Sequence, residues 1–299
     1  MKRTVLSGCI VFLAGLFVLN AVSQEVTAPG AELEVLSRGF SFTEGPAADA
    51  EGNIFFTDQP NDRILKWGTD NVLSVFMKPS NRSNGLFFDA KGNLIACADE
   101  KNELWSIAPD GAVTVLVKDY EGKLLNAPND VYVHPSGSMY ITDPMYKRPW
   151  WERDPEIQQG GEFVYRLAPD RKTLQRMQTN IVKPNGVIGT PDGKYLYVAD
   201  IGDKKIYRFT IAADGSLSEQ TFICDQQSDG LTLDVEGNIY TTSNAGVVVY
   251  DKTGKKLQQI ETPETWTANV CFGGKDRDVL FITARHGLYS IKMRVKGAY

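Results

Sequence analysis

Histidine is scarce in this chain, which has two, His134 and His286, among 299 residues. A zinc site built mainly on imidazole ligands is therefore disfavoured. Both histidines stand in turn-like sequence and are expected at the surface, so a hydrolase that relies on histidine would lack its base. The chain also has no Gly-x-Ser-x-Gly elbow, no P-loop and no dinucleotide-binding glycine motif. These absences argue against the reaction classes that such motifs serve.

The chain also has fewer basic than acidic residues, and it has few cysteines. The 32 Lys and Arg residues are outnumbered by 37 Asp and Glu, which gives a net charge of −5. No basic stripe is present to meet phosphates, so the sequence predicts no nucleic-acid partner. Outside the N-terminal segment there are three cysteines, Cys97, Cys224 and Cys271, and three can form at most one disulfide. We expect them as buried, unpaired small apolar side chains.

The N-terminal segment has the features of a secretory signal peptide. Met1-Lys2-Arg3 precedes an apolar run over 9–19, and Ala21-Val22-Ser23 offers small residues for cleavage after Ser23. The run is short for a membrane span. We therefore predict a signal peptide at 1–23, export to the periplasm or the medium, and no membrane association after cleavage; an uncleaved anchor is the alternative. Residues 24–299 are expected to form a single domain.

The rest of the chain is organised as a repeat. A glycine turn recurs at positions 52, 92, 137, 193 and 237, at intervals of 40, 45, 56 and 44 residues. Each turn leads into an apolar strand, such as IFFTD or MYITD, and then into a second alternating strand. Helix signals are nearly absent. Such periods are typical of the four-stranded blades of a β-propeller.

A sixth unit begins near Asn269 and shows three strands before the C-terminus. An unassigned strand, ELEVLSRGF at 32–40, precedes the first unit. The sequence thus predicts an all-β, six-bladed β-propeller whose ring is closed by the N-terminal strand completing the last blade, with no long open edge.

An acidic or amide residue stands eight positions before each of the five turn glycines. These residues are Glu44, Asn84, Asn129, Asn185 and Asp229. Since the first strand of every blade lines the central channel, they should converge at one end of the axis. Two carboxylates, Glu44 and Asp229, with the amide oxygens of Asn129 and Asn185 suit a hard cation, calcium above all. The alternative is that each merely bonds local backbone at a strand entry.

The third interval is long because it contains an insertion, 144–161, rich in aromatic and charged residues. Insertions between regular strands often carry residues that bind a ligand or substrate. Tyr146, Trp150 and Trp151 are therefore candidates to cover a substrate as a partial lid, while a solvated decoration is the alternative.

Six short motifs in register, spanning about residues 36–292, resemble the SMP-30/gluconolactonase/LRE family. They are Phe42-Thr43-Glu44-Gly45-Pro46, Asn84-Gly85-Leu86, Asn126-Ala127-Pro128-Asn129-Asp130-Val131 with Tyr140-Ile141-Thr142-Asp143-Pro144, Pro184-Asn185-Gly186, Ser228-Asp229-Gly230-Leu231 and Asn269-Val270-Cys271-Phe272-Gly273-Gly274.

The resemblance implies one divalent metal on the axis and lactone hydrolysis. It implies Glu44, Asn185 and Asp229 as metal ligands and Asn129 as a residue near metal and substrate. It also implies Asp229 as the general base and Asn84 at the pocket wall. Calcium is the expected metal, with zinc, magnesium and manganese as alternatives.

The chain departs from the family pattern at two places. Cys97 is followed by Ala98-Asp99-Glu100, where many bacterial gluconolactonases carry Glu-His-Gly, and 126–128 lacks the arginine with which some members bind substrate.

The expected function is opening of a small lactone, the metal polarising its carbonyl and Asp229 acting as base. Two alternatives stay open: an exported ligand- or protein-binding propeller with a structural calcium, and another ester hydrolase similar to strictosidine synthase. The sequence leaves the oligomeric state open.

Overall fold

The computed structural model describes Met1, residues 25–152 and residues 156–299. Apart from Met1, the predicted signal peptide at 1–23 lies outside the described residues and stays a prediction. Within the described part of the chain, no helix is long and apolar enough to cross a membrane.

The described residues form 24 β-strands in six four-stranded sheets. Strand β1 spans Glu34–Arg38. The first three blades consist of β2 (Thr43–Ala48), β3 (Ile54–Asp58), β4 (Arg63–Trp67) and β5 (Leu73–Met77); β6 (Ser83–Phe88), β7 (Leu94–Ala98), β8 (Glu103–Ile107) and β9 (Val113–Val117); and β10 (Val131–Val133), β11 (Met139–Asp143), β12 (Phe163–Leu167) and β13 (Leu174–Arg176).

The remaining three blades follow the same order. They consist of β14 (Pro184–Gly189), β15 (Tyr195–Asp200), β16 (Lys205–Ile211) and β17 (Leu217–Asp225); β18 (Leu231–Leu233), β19 (Ile239–Ser243), β20 (Gly246–Tyr250) and β21 (Lys256–Ile260); and β22 (Asn269–Gly273), β23 (Val279–Ala284) and β24 (Gly287–Lys292) with β1. The two 3₁₀ turns, Gln59–Asn61 and Asp99–Lys101, follow β3 and β7.

Each blade is an antiparallel meander, and its first strand faces the ring axis. Strands β2, β6, β10, β14, β18 and β22 contact one another in sequence, and β2 contacts β22. Strand β1 pairs antiparallel with β24. The predicted six-bladed propeller and its closure by the N-terminal strand are therefore confirmed.

The predicted glycine turns join the first and second strands of blades 1 to 5. The backbone there needs a left-handed residue, and Gly52 and Gly237, for example, have φ of +88° and +83°. Strands β3, β7, β11 and β19, which follow these turns, are buried at every position. Their β-branched and aromatic side chains suit a strand covered on both faces.

The apolar core lies between neighbouring blades. The largest cluster joins blades 3, 4 and 5 through side chains such as Tyr140, Leu196 and Ile239. Cys97, Cys224 and Cys271 are buried and unpaired, as the sequence predicted. Burial raises the pKa of the Cys271 thiol to about 12, so it behaves as an apolar side chain.

Candidate functional site

A cavity of about 350 Å³ lies on the axis at the end where the first strands begin. All six blades, or the loops that enter and leave their strands, contribute to it. Its lining residues are Phe42, Glu44, Asn84, Asn129, Tyr146, Arg148, Ile201, Asp229 and Trp266. The wall therefore combines carboxylates and amides with a guanidinium and with apolar or aromatic side chains.

The structure brings most of the sequence-predicted site residues together. Glu44, Asn84, Asn129, Asp229 and Tyr146 line the cavity. Asn185 lies beside it in β14, buried, and its Nδ2 donates a hydrogen bond of 2.9 Å to the Tyr146 hydroxyl.

The two tryptophans of the insertion are not among the lining residues. Both are partly buried. Trp150 stacks under Arg82, whose guanidinium carbon is 4.9 Å from the ring centroid. Trp151 donates from Nε1 to Asp99 at 2.7 Å. Their predicted contact with a substrate stays a prediction.

The two carboxylates of the cavity are buried close enough to repel each other. Burial raises the pKa of Glu44 well above its usual range, and the charge of Asp229 raises it further. Burial likewise raises the pKa of Asp229 to about 6, against the lowering effects of Trp266, Asn185 and Arg148. Two desolvated carboxylates in one cavity form a strongly anionic site that a cation would neutralise.

The Asp229 carboxylate is held by an indole. Trp266 Nε1 donates to Asp229 Oδ2 at 2.6 Å, which fixes one oxygen of the carboxylate and leaves the other to the cavity. Glu44 is fixed differently, since its Oε2 accepts a hydrogen bond of 3.0 Å from the Gly45 backbone. Both carboxylates are thus positioned by hydrogen bonds and keep further lone pairs for a ligand.

Three strand-end aspartates position the loops that lead into the site. Asp58 accepts from the backbone of Ser41 and Phe42. Asp143 accepts in the same way from Asn126 and Ala127, and Asp200 from Val182 and Lys183. In each case the two donors stand three and two positions before a predicted metal ligand, namely Glu44, Asn129 and Asn185. The aspartate therefore sets the path by which the ligand enters its strand.

Glycines after the site residues let neighbouring blades meet backbone to backbone. Gly45 has φ of +43°, and a Cβ there would lie 2.2 Å from the Asn84 carbonyl oxygen of the next blade. A Cβ on Gly186 would lie 2.6 Å from the Asp229 carbonyl oxygen. The distances between site residues on adjacent blades thus depend on the missing side chains.

The insertion lies on the site face because β11 runs back toward the cavity and ends at Asp143. It supplies two lining residues, Tyr146 and Arg148. The Arg148 guanidinium carbon is 5.2 Å from the Tyr146 ring centroid, and its Nε lies 3.2 Å from Asp99 Oδ2. The insertion is therefore tied to blade 2 and reaches the cavity wall.

The residues fit a hard divalent cation. Two carboxylates and two asparagine amides supply oxygen donors only, which is the chemistry that calcium prefers. Among residues 25–152 and 156–299, no group of three or more His, Cys, Asp or Glu could hold a metal ion. The carboxylates alone are therefore too few, and a site here depends on the amide oxygens of Asn129 and Asn185.

A second cavity, of about 230 Å³, follows along the axis behind the first. It is mainly apolar, and Asn269, at the start of β22, lines it rather than the first cavity. Asp130 projects here with its oxygens bonded to the backbone nitrogens of Val131 and Val187 at 2.9 and 3.2 Å. Burial raises the pKa of Asp130 to about 7.

Sequence reasoning missed Arg148, Trp266 and the strand-end aspartates. Arg148 was hidden in an insertion noted for its aromatic residues. Trp266 stands three positions before Asn269, in the entry loop of blade 6, where blade 1 has Phe42 near Glu44. The aspartates left a clear signal, because IFFTD, MYITD and YLYVAD all end in aspartate.

Comparisons with known proteins identify the family and support the fold. A family model for the SMP-30/Gluconolactonase/LRE-like region matches residues 42–286. The chain is similar to the gluconolactonase of Zymomonas mobilis, with 26% identity over 294 residues that cover 89% of this chain and 82% of that protein.

Two solved structures show the same architecture. A Xanthomonas campestris protein, described as a gluconolactonase important in glucose secondary metabolic pathways, has a TM-score of 0.83 and 31% identity, covering 90% of this chain and 91% of that one. The calcium-binding protein regucalcin of Agrobacterium tumefaciens has a TM-score of 0.74 and 22% identity, covering 89% and 95%. This last likeness concerns the fold.

Proposed function

The chain belongs to the SMP-30/gluconolactonase/LRE-like family, and from this we propose that it is a metal-dependent lactone hydrolase similar to a gluconolactonase. The observation that carries the proposal is the axial cavity, where Glu44, Asn129 and Asp229 converge from blades 1, 3 and 5, with Asn185 of blade 4 beside it. Relatives that cover most of the chain and are described as gluconolactonases support the substrate class.

In this proposal, Glu44, Asn129, Asn185 and Asp229 hold one divalent cation, calcium first. The family includes a calcium-binding regucalcin, and the oxygen-only donor set suits the same ion. When bound, such a cation polarises an ester carbonyl and acidifies a water molecule. Glu44 and Asp229 supply the negative charge that holds it, while the neutral amides leave it electrophilic.

The side chains of the cavity would act as general base, orient that base and exclude water. Asp229 accepts a proton from the water whose oxygen adds to the lactone carbonyl carbon. The ring C–O bond then breaks, the ring oxygen takes up a proton, and a hydroxy acid leaves. Trp266 keeps the Asp229 carboxylate in one orientation. Phe42, Ile201 and Trp266 present apolar surface that limits access of bulk water.

A panel of γ- and δ-lactones, assayed with and without EDTA, tests the function. We expect turnover of at least one lactone, its loss on chelation, and its return when calcium is added in excess. Titration of the released acid measures the rate. Absence of turnover for every lactone, together with a calcium-dependent rise in melting temperature, would contradict the enzyme and support a ligand-binding propeller.

The stabilisation by metal should depend on pH. Because burial raises the pKa values of Glu44 and Asp229, the folded metal-free protein binds protons more tightly than the unfolded chain does. Its stability therefore falls as the pH rises from about 4 through about 6. A divalent cation needs the ionised carboxylates, so we expect calcium to raise the melting temperature more at about pH 8 than at about pH 5.

Differential scanning fluorimetry across this pH range, with and without calcium chloride, measures the effect. Sodium chloride at matched ionic strength is the control. A rise of equal size at every pH would show that calcium does not displace protons from these carboxylates.

Export also remains a proposal, supported by the sequence of residues 1–23. It places the hydrolase in the periplasm or the medium, where it would meet lactones before uptake.

A further inference from the structure

Among the described residues that line the cavity, one carries a positive charge, and the proposed hydrolysis does not use it. Arg148 lines the same cavity as Glu44 and Asp229. It comes from the insertion rather than from a strand of the ring. A guanidinium in a cavity of this size is positioned to contact whatever molecule lies over the carboxylates.

The Arg148 guanidinium donates hydrogen bonds within the described residues only through its Nε edge. Arg148 Nε donates to Asp99 Oδ2 at 3.2 Å, and the Asp99 side chain is 2% exposed. Gln59 Nε2 and Trp151 Nε1 donate to the same carboxylate, so Asp99 is a fixed anchor. The Arg148 guanidinium also lies over the aromatic rings of Tyr146 and Trp150, and these contacts further restrict the orientation of its plane.

The terminal amino groups of Arg148 are available to bind a ligand. Within the part of the chain that the structure describes, neither Nη1 nor Nη2 donates a hydrogen bond, and the side chain is 22% exposed. Two parallel N–H groups match the two oxygens of a carboxylate better than a single hydroxyl. Lys183 adds positive charge nearby, with its Nζ 4.0 Å from the Tyr146 ring centroid.

We propose that Arg148 is a specificity-determining residue and that the preferred lactones carry a carboxylate apart from the ester that is opened, as the lactones of sugar dicarboxylic acids do. This proposal rests on the lactone hydrolysis proposed above. In a protein of net charge −5, an anionic substrate needs a local cation, and Arg148 provides one in the wall of the cavity.

The test compares D-glucaro-1,4-lactone with D-glucono-1,4-lactone, which differ by a carboxylate or a CH₂OH group at one carbon. In the calcium-loaded full chain, we expect the lower KM for the glucaro-lactone. Arg148→Met should raise that KM about 10- to 100-fold, the usual worth of a charge-assisted pair. The KM of the glucono-lactone should change far less, and Arg148→Lys should recover part of the preference.

Lys147→Met is the matched control, because it removes the positive charge of the neighbouring residue, whose side chain is 63% exposed and pairs with Glu156 at the surface. It should leave both KM values unchanged. Rapid tryptophan fluorescence changes, reported by Trp266 in the cavity wall, measure binding of each lactone before turnover.

The outcomes separate the two proposals. If neither lactone is hydrolysed, the wider lactone panel decides the proposed function, and the binding signal decides whether Arg148 selects the anion. Equal KM values or equal binding of the two lactones in the wild-type protein would overturn the role of Arg148. The role of Arg148 would also be overturned if Arg148→Met weakened the binding of both lactones to the same extent. That result would mark Arg148 as a structural anchor of the insertion.

Discussion

Replacing Asp229 by asparagine is expected to lower kcat for lactone hydrolysis by about 10³-fold, within the range of roughly 10²–10⁴ that a positioned general base contributes. The substitution removes the proton acceptor and one of the two negative charges on the cavity wall. Calcium binding should weaken as well, because the remaining donors carry a single charge. Initial rates and calorimetric calcium titration measure the two effects.

Asp225→Asn provides the control, since Asp225 is an exposed carboxylate four positions earlier in the same segment. It should retain wild-type rate and calcium affinity. Glu44→Gln should weaken calcium binding while keeping Asp229 in place. If Asp229→Asn and Glu44→Gln both keep their metal and their activity, the axial carboxylates have a purely structural role.

Gly45→Ala should be among the most destabilising single substitutions in the ring. Its φ of +43° costs an alanine roughly 1–2 kcal/mol. The added Cβ would also lie 2.2 Å from the Asn84 carbonyl oxygen, and overpacking of this kind costs roughly 1–3 kcal/mol more. We therefore expect a loss of about 2–5 kcal/mol, measured by urea unfolding.

Gly92→Ala separates the two causes. Gly92 has φ of +80°, and among the described residues no heavy atom beyond its two chain neighbours lies within 4 Å of the place that its Cβ would take, so the alanine variant should show the backbone strain alone. The difference between the two variants then gives the steric contribution. Equal losses in both would show that blades 1 and 2 can move apart without cost.

The fold was accessible from sequence because its signals repeat. A glycine turn before an apolar strand is weak evidence at one position, but Gly52, Gly92, Gly137, Gly193 and Gly237 recur at blade-sized intervals. The closing strand was also predictable, since β22–β24 lack a fourth partner within their own unit. Local patterns suffice for the other five blades, because each is built from four strands that follow one another in sequence.

The site was only partly accessible, because the signal that revealed it is the regular spacing of the repeat. Glu44, Asn129 and Asp229 share that spacing and meet in the cavity. Arg148 and Trp266 lie in loops outside the repeat, so no periodicity marks them. Their positions follow from long-range contacts, such as the bond from Trp266 to Asp229, 37 residues away.

The strand-end aspartates carry a consequence for how such a ring can arise. Asp58, Asp143 and Asp200 each end the second strand of a blade whose proposed ligand lies in or just before its first strand, whereas the other three blades, including the one that contributes Asp229, end that strand in Ala98, Ser243 and Ala284. One hairpin therefore contains both a donor and the group that orients it. Duplication of such a hairpin would copy the ligand together with the group that orients it. Blade 5 reaches the same end differently, because its proposed ligand Asp229 is held by Trp266 rather than by an aspartate at the end of its own second strand.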